Sequence, residues 1–188
     1  MTPQTLAAAF AVGLVVAIAV FLLVTSYNAV MALRQRIDKA WSNIDVVLKQ
    51  RYDQLPALVA AVRGLMAFEQ DVLTDVARAR ANYSPAEPIP DQGIHAEETS
   101  RAVRSLFAVV EAYPQVRSDA NVLALQQEIE RLESMIADRR ELYNDQVYRY
   151  NARITTLPTL LIAPLFGWRE RPFFAAQPEE TARPATDL

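Results

Sequence analysis

Two polar stretches hold most of the side chains that could do chemistry. "AWSNIDVVLKQRYDQLP" (40–56) sets Trp41, Asn43, Asp45, Lys49, Arg51, Tyr52 and Asp53 among the apolar Ile44 and Leu48. "DRRELYNDQVYRYN" (138–151) places paired arginines, two asparagines and three tyrosines inside a regular apolar repeat. Such a mixture makes a catalytic cluster, a buried polar seam between helices, or a solvated face. For the first stretch the solvated face is the default, because most helical charges are simply hydrated.

Other candidates for catalysis are sparse. His95 is the only histidine, and it lies in a Pro/Gly-rich stretch. A di-iron bundle pairs Glu with His three residues later, but the residue three before His95 is Gln92. Glu97 and Glu98, like Glu179 and Glu180, are adjacent in sequence, so neither pair shares a helix face to grip a metal. There is no phosphate-binding loop, dinucleotide fingerprint or nucleophile elbow. The absence of cysteine excludes disulfides, thiol catalysis and thiolate metal sites. With 19 basic and 22 acidic residues mixed along the chain, the net charge of −3 shows no nucleic-acid stripe. These features predict a non-enzymatic protein with no cofactor, no metal, no nucleic acid and no small-molecule substrate.

The elements that must position these residues are helical. Glycine occurs only four times, and strand-like alternation is nowhere sustained. Val30, Leu33, Ile37, Ala40, Ile44, Leu48, Tyr52, Leu55, Val59 and Val62 keep three-four spacing, so 27–82 reads as nearly continuous helix. The apolar phase survives Pro56, which favours a kink over a break. "SPAEPIPDQGIHA" (84–96), with three prolines and a glycine, reads as a loop. A second helix is predicted over about 97–112. The last covers about 121–157, with Ser118 or Asp119 as N-cap and Pro158 as its stop. Val122, Leu125, Ile129, Leu132, Ile136, Tyr143, Val147, Tyr150 and Ile154 form its seam, broken only at Arg139. Residues 175–188 have the composition of a disordered tail.

Residues 6–24, "LAAAFAVGLVVAIAVFLLV", carry no charge. Nineteen residues rise about 28 Å, close to the hydrocarbon core of a bilayer. A cleaved signal peptide expects a basic n-region and a shorter apolar run, so an uncleaved anchor is the preferred reading. Arg34, Arg36 and Lys39 follow the span, whereas residues 1–5 hold no Lys or Arg. The positive-inside tendency then places the body in the cytoplasm and residues 1–5 outside, with the extracytoplasmic body as the alternative.

The segment "TLPTLLIAPLFGWRERPFF" (156–174) is very apolar, yet too short and too interrupted to cross a membrane. It packs on the bundle, or it brings Leu161, Ile162, Leu165, Phe166, Trp168, Phe173 and Phe174 to the headgroup level or a partner groove. A helix leaving the membrane and a last helix coming back would return 158–174 towards the bilayer.

The chain resembles the LemA family. The resemblance is carried by 27–64 with "AWSNIDV", by "EAYP" at 111–114, and by "RRELYNDQVYRYN" before the Pro-bounded "IAPLFGW". It implies an all-α protein: an N-terminal transmembrane helix, then an antiparallel long-helix bundle of bromodomain-like, four-helix topology over 27–157. It also implies a bacterial inner-membrane location and no nameable catalytic residues. One branch of the family is associated with magnetosomes, which implies a role in membrane organisation. The expected activity is that of a scaffold or adaptor that self-associates or binds envelope proteins, with lipid binding or membrane remodelling as the alternative.

A charge at seam position 139 is costly unless paired. The expected arrangement is therefore a polar layer in which Asp45 or Asp53 meets Arg139 or Arg140, completed by Asn43, Tyr143 and Asn144, and fixing register between helices.

Overall fold

A computed structural model describes residues 3–65 and 70–174. Among them all regular structure is helical: α1 (Pro3–Leu65), α2 (Gln70–Asn82), α3 (Ile89–Glu111), α4 (Pro114–Arg117), α5 (Ala120–Ile154) and α6 (Thr159–Ile162). The chain divides into two compact units. The first comprises residues 1–39 and 145–171, the second 40–144 and 172–188.

Helix α1 begins with the apolar span, the one stretch among the described residues long and apolar enough to cross a membrane, and none of it is buried. The helix continues through Pro56 without breaking. A proline has no N–H for the carbonyl four residues earlier, here Tyr52. Arg80 of α2 supplies the missing donor, its Nε lying 3.3 Å from the Tyr52 carbonyl oxygen.

Helix α3 corrects the loop expected over 84–96. It starts at Ile89, with Pro88 in extended geometry at the N-cap and Pro90 in the first turn. There the absent proline N–H would have had no helical partner anyway, and Asp91 favours the positive end of the helix dipole. His95 is thus helical. Buried Gln92 ties down the short connection before α3, donating to the carbonyls of Glu87 (2.8 Å) and Pro85 (3.2 Å). Asp119 caps α5 by accepting from the N–H groups of Asn121 and Val122 at 2.9 and 3.0 Å.

In the second unit α1 and α5 run antiparallel. Contacts step from Trp41 with Tyr143, through Asn43 with Arg139, to Arg51 with Glu133. Its core includes Ile44, Leu48, Leu55 and Leu58 of α1, Leu73 and Val76 of α2, Val103 and Leu106 of α3, and Ile129 and Leu132 of α5. The first unit buries Val30 and Ile37 of α1, Val147, Tyr150 and Ile154 of α5, and Thr159, Ala163 and Trp168 beyond it.

Candidate functional site

The polar centre of the second unit is Arg51, a fully buried guanidinium. It falls between Leu48 and Leu55 on the apolar stripe of α1, so helical periodicity itself carries it into the core. Nη1 donates to Glu133 Oε1 at 2.8 Å and to Ser100 Oγ at 2.9 Å. Nη2 donates to the Tyr52 hydroxyl at 3.2 Å and the Ala96 carbonyl at 3.3 Å. Ser100 donates in turn to Glu133 Oε2 at 2.6 Å. The Tyr52 hydroxyl lies 3.1 Å from Thr99 Oγ1, which donates to the His95 carbonyl at 2.8 Å. One guanidinium thus joins α1, α3 and α5. Its hydrogens are engaged by protein acceptors except at Nε, which is buried without a partner. Such an arrangement ties three helices together, and its Ser100 and Glu133 also line an open pocket of about 310 Å³.

Beside this layer Tyr52 stacks on Tyr83, ring centroids 3.9 Å apart. Burial first, and the neighbouring Asp45 carboxylate second, push the Tyr83 phenol up to about 12. Asp45, Lys49, Asp53, Arg80 and Tyr83 line an open cleft here of about 530 Å³. His95 sits between Glu87 (3.4 Å) and Glu98 (3.3 Å). Among the described residues no group of three or more His, Cys, Asp or Glu side chains is placed to hold a metal.

The expected polar layer is assembled differently. Asp45 and Asp53 do not meet Arg139 or Arg140. Arg139 donates instead to the Asn43 backbone carbonyl at 2.7 Å, and the Asn43 side chain is exposed. Arg140 approaches Glu97 at 3.9 Å, and exposed Asp53 faces the cleft. Position 139 lies at the margin of the seam, half-buried, where a guanidinium reaches a carbonyl and needs no carboxylate. Tyr143 is buried edge-on to Trp41, ring centroids 5.8 Å apart, and its hydroxyl donates to the Pro172 carbonyl at 3.1 Å. The Asn144 side chain grips one residue of backbone from both sides: Oδ1 accepts the Phe174 N–H at 2.9 Å and Nδ2 donates to the Phe174 carbonyl at 3.2 Å. Phe174 is buried against Trp41, so it is unavailable as a membrane contact; Phe173 is partly exposed.

In the first unit, Gly167 adopts φ 63°, a conformation side-chain-bearing residues resist. The turn lets the Trp168 N–H reach the Ala163 carbonyl at 3.0 Å. Phe166 and Trp168 stack on each other and pack against Tyr27, with centroids 5.1 and 5.9 Å from its ring. Trp168 is buried by this packing, Ile162 is half-buried, and Leu161 and Leu165 are exposed. Asn151 makes the same two-sided grip as Asn144, here on Arg171, with both bonds at 2.9 Å. Arg171 also pairs with Asp38 at 2.6 Å.

The model of the LemA family matches residues 40–187, which cover the polar layer, both asparagine grips and the Gly167 turn. This chain belongs to the LemA family. Two relatives, magnetosome protein MamQ 1 and magnetosome protein MamQ 2 of Paramagnetospirillum magneticum, are each 34% identical over 77 residues. The match takes in 41% of this chain and only 28% of each relative's length. The LemA chain is a membrane-associated helical protein, with its apolar span in the stretch before the matched region.

Arg51, Glu133, Ser100 and Thr99 of this LemA chain form a group that their separate positions in the sequence do not announce. The available signal was a charge inside the Leu48–Leu55 stripe, a stronger mark of burial than the Arg139 break.

Proposed function

We propose that this LemA protein is a non-enzymatic, membrane-anchored scaffold or adaptor of the bacterial envelope, acting through self-association or protein–protein contacts. The carrying observation is how its polar side chains are used. Arg51, Tyr52, Ser100 and Glu133 are bonded to one another between helices, and the amides of Asn144 and Asn151 to backbone. That chemistry makes a defined body, and the bare apolar helix tethers it. Arg34, Arg36 and Lys39 beyond the span support a single-pass arrangement in the inner membrane with the body cytoplasmic.

Light scattering tests the reading, comparing the full chain in nanodiscs with a truncated form beginning at Tyr27. The expected result is a defined oligomer that requires the anchor. A monomer in both forms removes self-association and leaves the adaptor; cellular crosslinks to lipid alone would remove that too. A second reading, lipid binding or membrane remodelling, is favoured by the exposed Leu161 and Leu165 next to the Tyr27 cluster. Binding of the truncated form to liposomes would support it.

A further inference from the structure

The first unit carries a charge opposite to that of the chain. Residues 1–39 and 145–171 hold seven basic and three acidic side chains, net +4, so with the whole chain at −3 the remainder stands at −7. The same unit contains the apolar span. Tyr27 follows the last residue of that span, Val24, by less than one helical turn. A Tyr–Phe–Trp cluster at that height lies where aromatic rings settle at a membrane–water boundary.

Residues 157–168 mix buried and open side chains. Thr159, Ala163 and Trp168 are buried, while Leu157, Leu161 and Leu165 are 68, 71 and 79% exposed. Leu160 and Phe166 are open as well, and so many open apolar side chains within one short segment mark a contact surface. Arg149 and Arg171 are paired with Asp145 and Asp38, whereas Arg153 and Arg169 have no carboxylate partner among the described residues.

We propose that residues 157–168 form a foot on the surface of an anionic phospholipid bilayer. Leu161 and Leu165 enter the headgroup–acyl boundary, and Arg153 and Arg169 meet lipid phosphates. The occupant is the bilayer rather than a second copy, because the surface adjoins the membrane span and its charge complements anionic headgroups. This inference rests on the anchored reading above.

The chain has no cysteine, so Leu165→Cys and Val15→Cys each introduce a unique thiol for an environment-sensitive fluorophore. The full-length variants go into nanodiscs of phosphatidylcholine, with or without phosphatidylglycerol, containing acyl-brominated lipid as quencher. Leu161→Cys is a second reporter should Leu165→Cys misfold. The Leu165→Cys label should be quenched, about twofold more deeply with phosphatidylglycerol than without, and Arg153→Gln/Arg169→Gln should abolish that difference. Quenching at Val15→Cys without quenching at Leu165→Cys overturns the foot and leaves the anchor standing. A blue-shifted but unquenched Leu165→Cys label means a protein covers the surface, which also overturns it. Equal quenching in both lipids overturns the anionic surface. Failure at both positions removes the anchored reading and the foot with it.

Discussion

The Arg80 side chain donates to the backbone carbonyl of Tyr52, the oxygen that Pro56 deprives of its helical donor. A cation from α2 thereby repairs the defect that proline introduces into α1, and α1 passes through Pro56 as a continuous helix. Arg80→Met keeps most of the apolar stem and removes the donor, and should cost about 1 kcal/mol. With Pro56→Ala in place the helix regains its own N–H, so the same Arg80 substitution should then cost much less. Urea unfolding in detergent, followed by tryptophan fluorescence, measures this cycle. Equal costs in both backgrounds would remove the repair.

The Arg51–Glu133 pair predicts an asymmetry. Arg51 is fully buried, whereas the Glu133 side chain keeps 26% of its exposure. Glu133→Ala strands a buried guanidinium and should cost about 3 kcal/mol or more. Arg51→Met leaves a carboxylate that can rehydrate, so its cost should be about 1–2 kcal/mol. Arg51→Met combined with Glu133→Leu should fall well below the sum of the single losses. Charge reversal of the pair should not rescue stability, because the Ala96 carbonyl accepts from Arg51 and has nothing to accept from a carboxylate.

The asparagine grips are testable by hydrogen exchange at Arg171 and Phe174. Each amide N–H is held by an asparagine Oδ1, so Asn151→Ala should speed exchange at Arg171 and Asn144→Ala at Phe174. Asn151→Asp keeps the acceptor but turns the donor into an oxygen facing the Arg171 carbonyl. It should protect the amide less well than asparagine and better than alanine. Trypsin cleavage after Arg169 should accelerate in parallel with Asn151→Ala.

Helix existence was legible because packing needs only an apolar stripe. Val30, Ile37, Ile44, Leu48 and Leu55 all fall on it, and all are buried. The prolines of 84–96 misled because a proline breaks a helix only past its first turn, and Pro90 stands within it. The pairing of charges was not legible, since which acid faces which base depends on register among α1, α3 and α5, and no local pattern encodes that. Asn144 and Asn151 looked like interruptions of a seam. Their partners are backbone atoms of Phe174 and Arg171, and backbone leaves no mark in composition.

The environment of Tyr83 predicts an alkaline transition. Its phenol is pushed from the ordinary 10.0 up to about 12, by burial first and by the Asp45 carboxylate second. Because the folded-state value lies above the unfolded one, this contribution to stability is complete below pH 10 and is lost as pH rises through about 12. Absorbance at alkaline pH should show late-titrating tyrosine signal, and Tyr83→Phe should remove one tyrosine's share of it. Asp45→Asn removes the nearby negative charge and should bring that titration part of the way back, leaving the share due to burial. An unshifted titration in Asp45→Asn would assign the whole effect to burial. A Tyr83 that titrates with the exposed tyrosines would show that its ring is open to water and does not lie stacked on Tyr52.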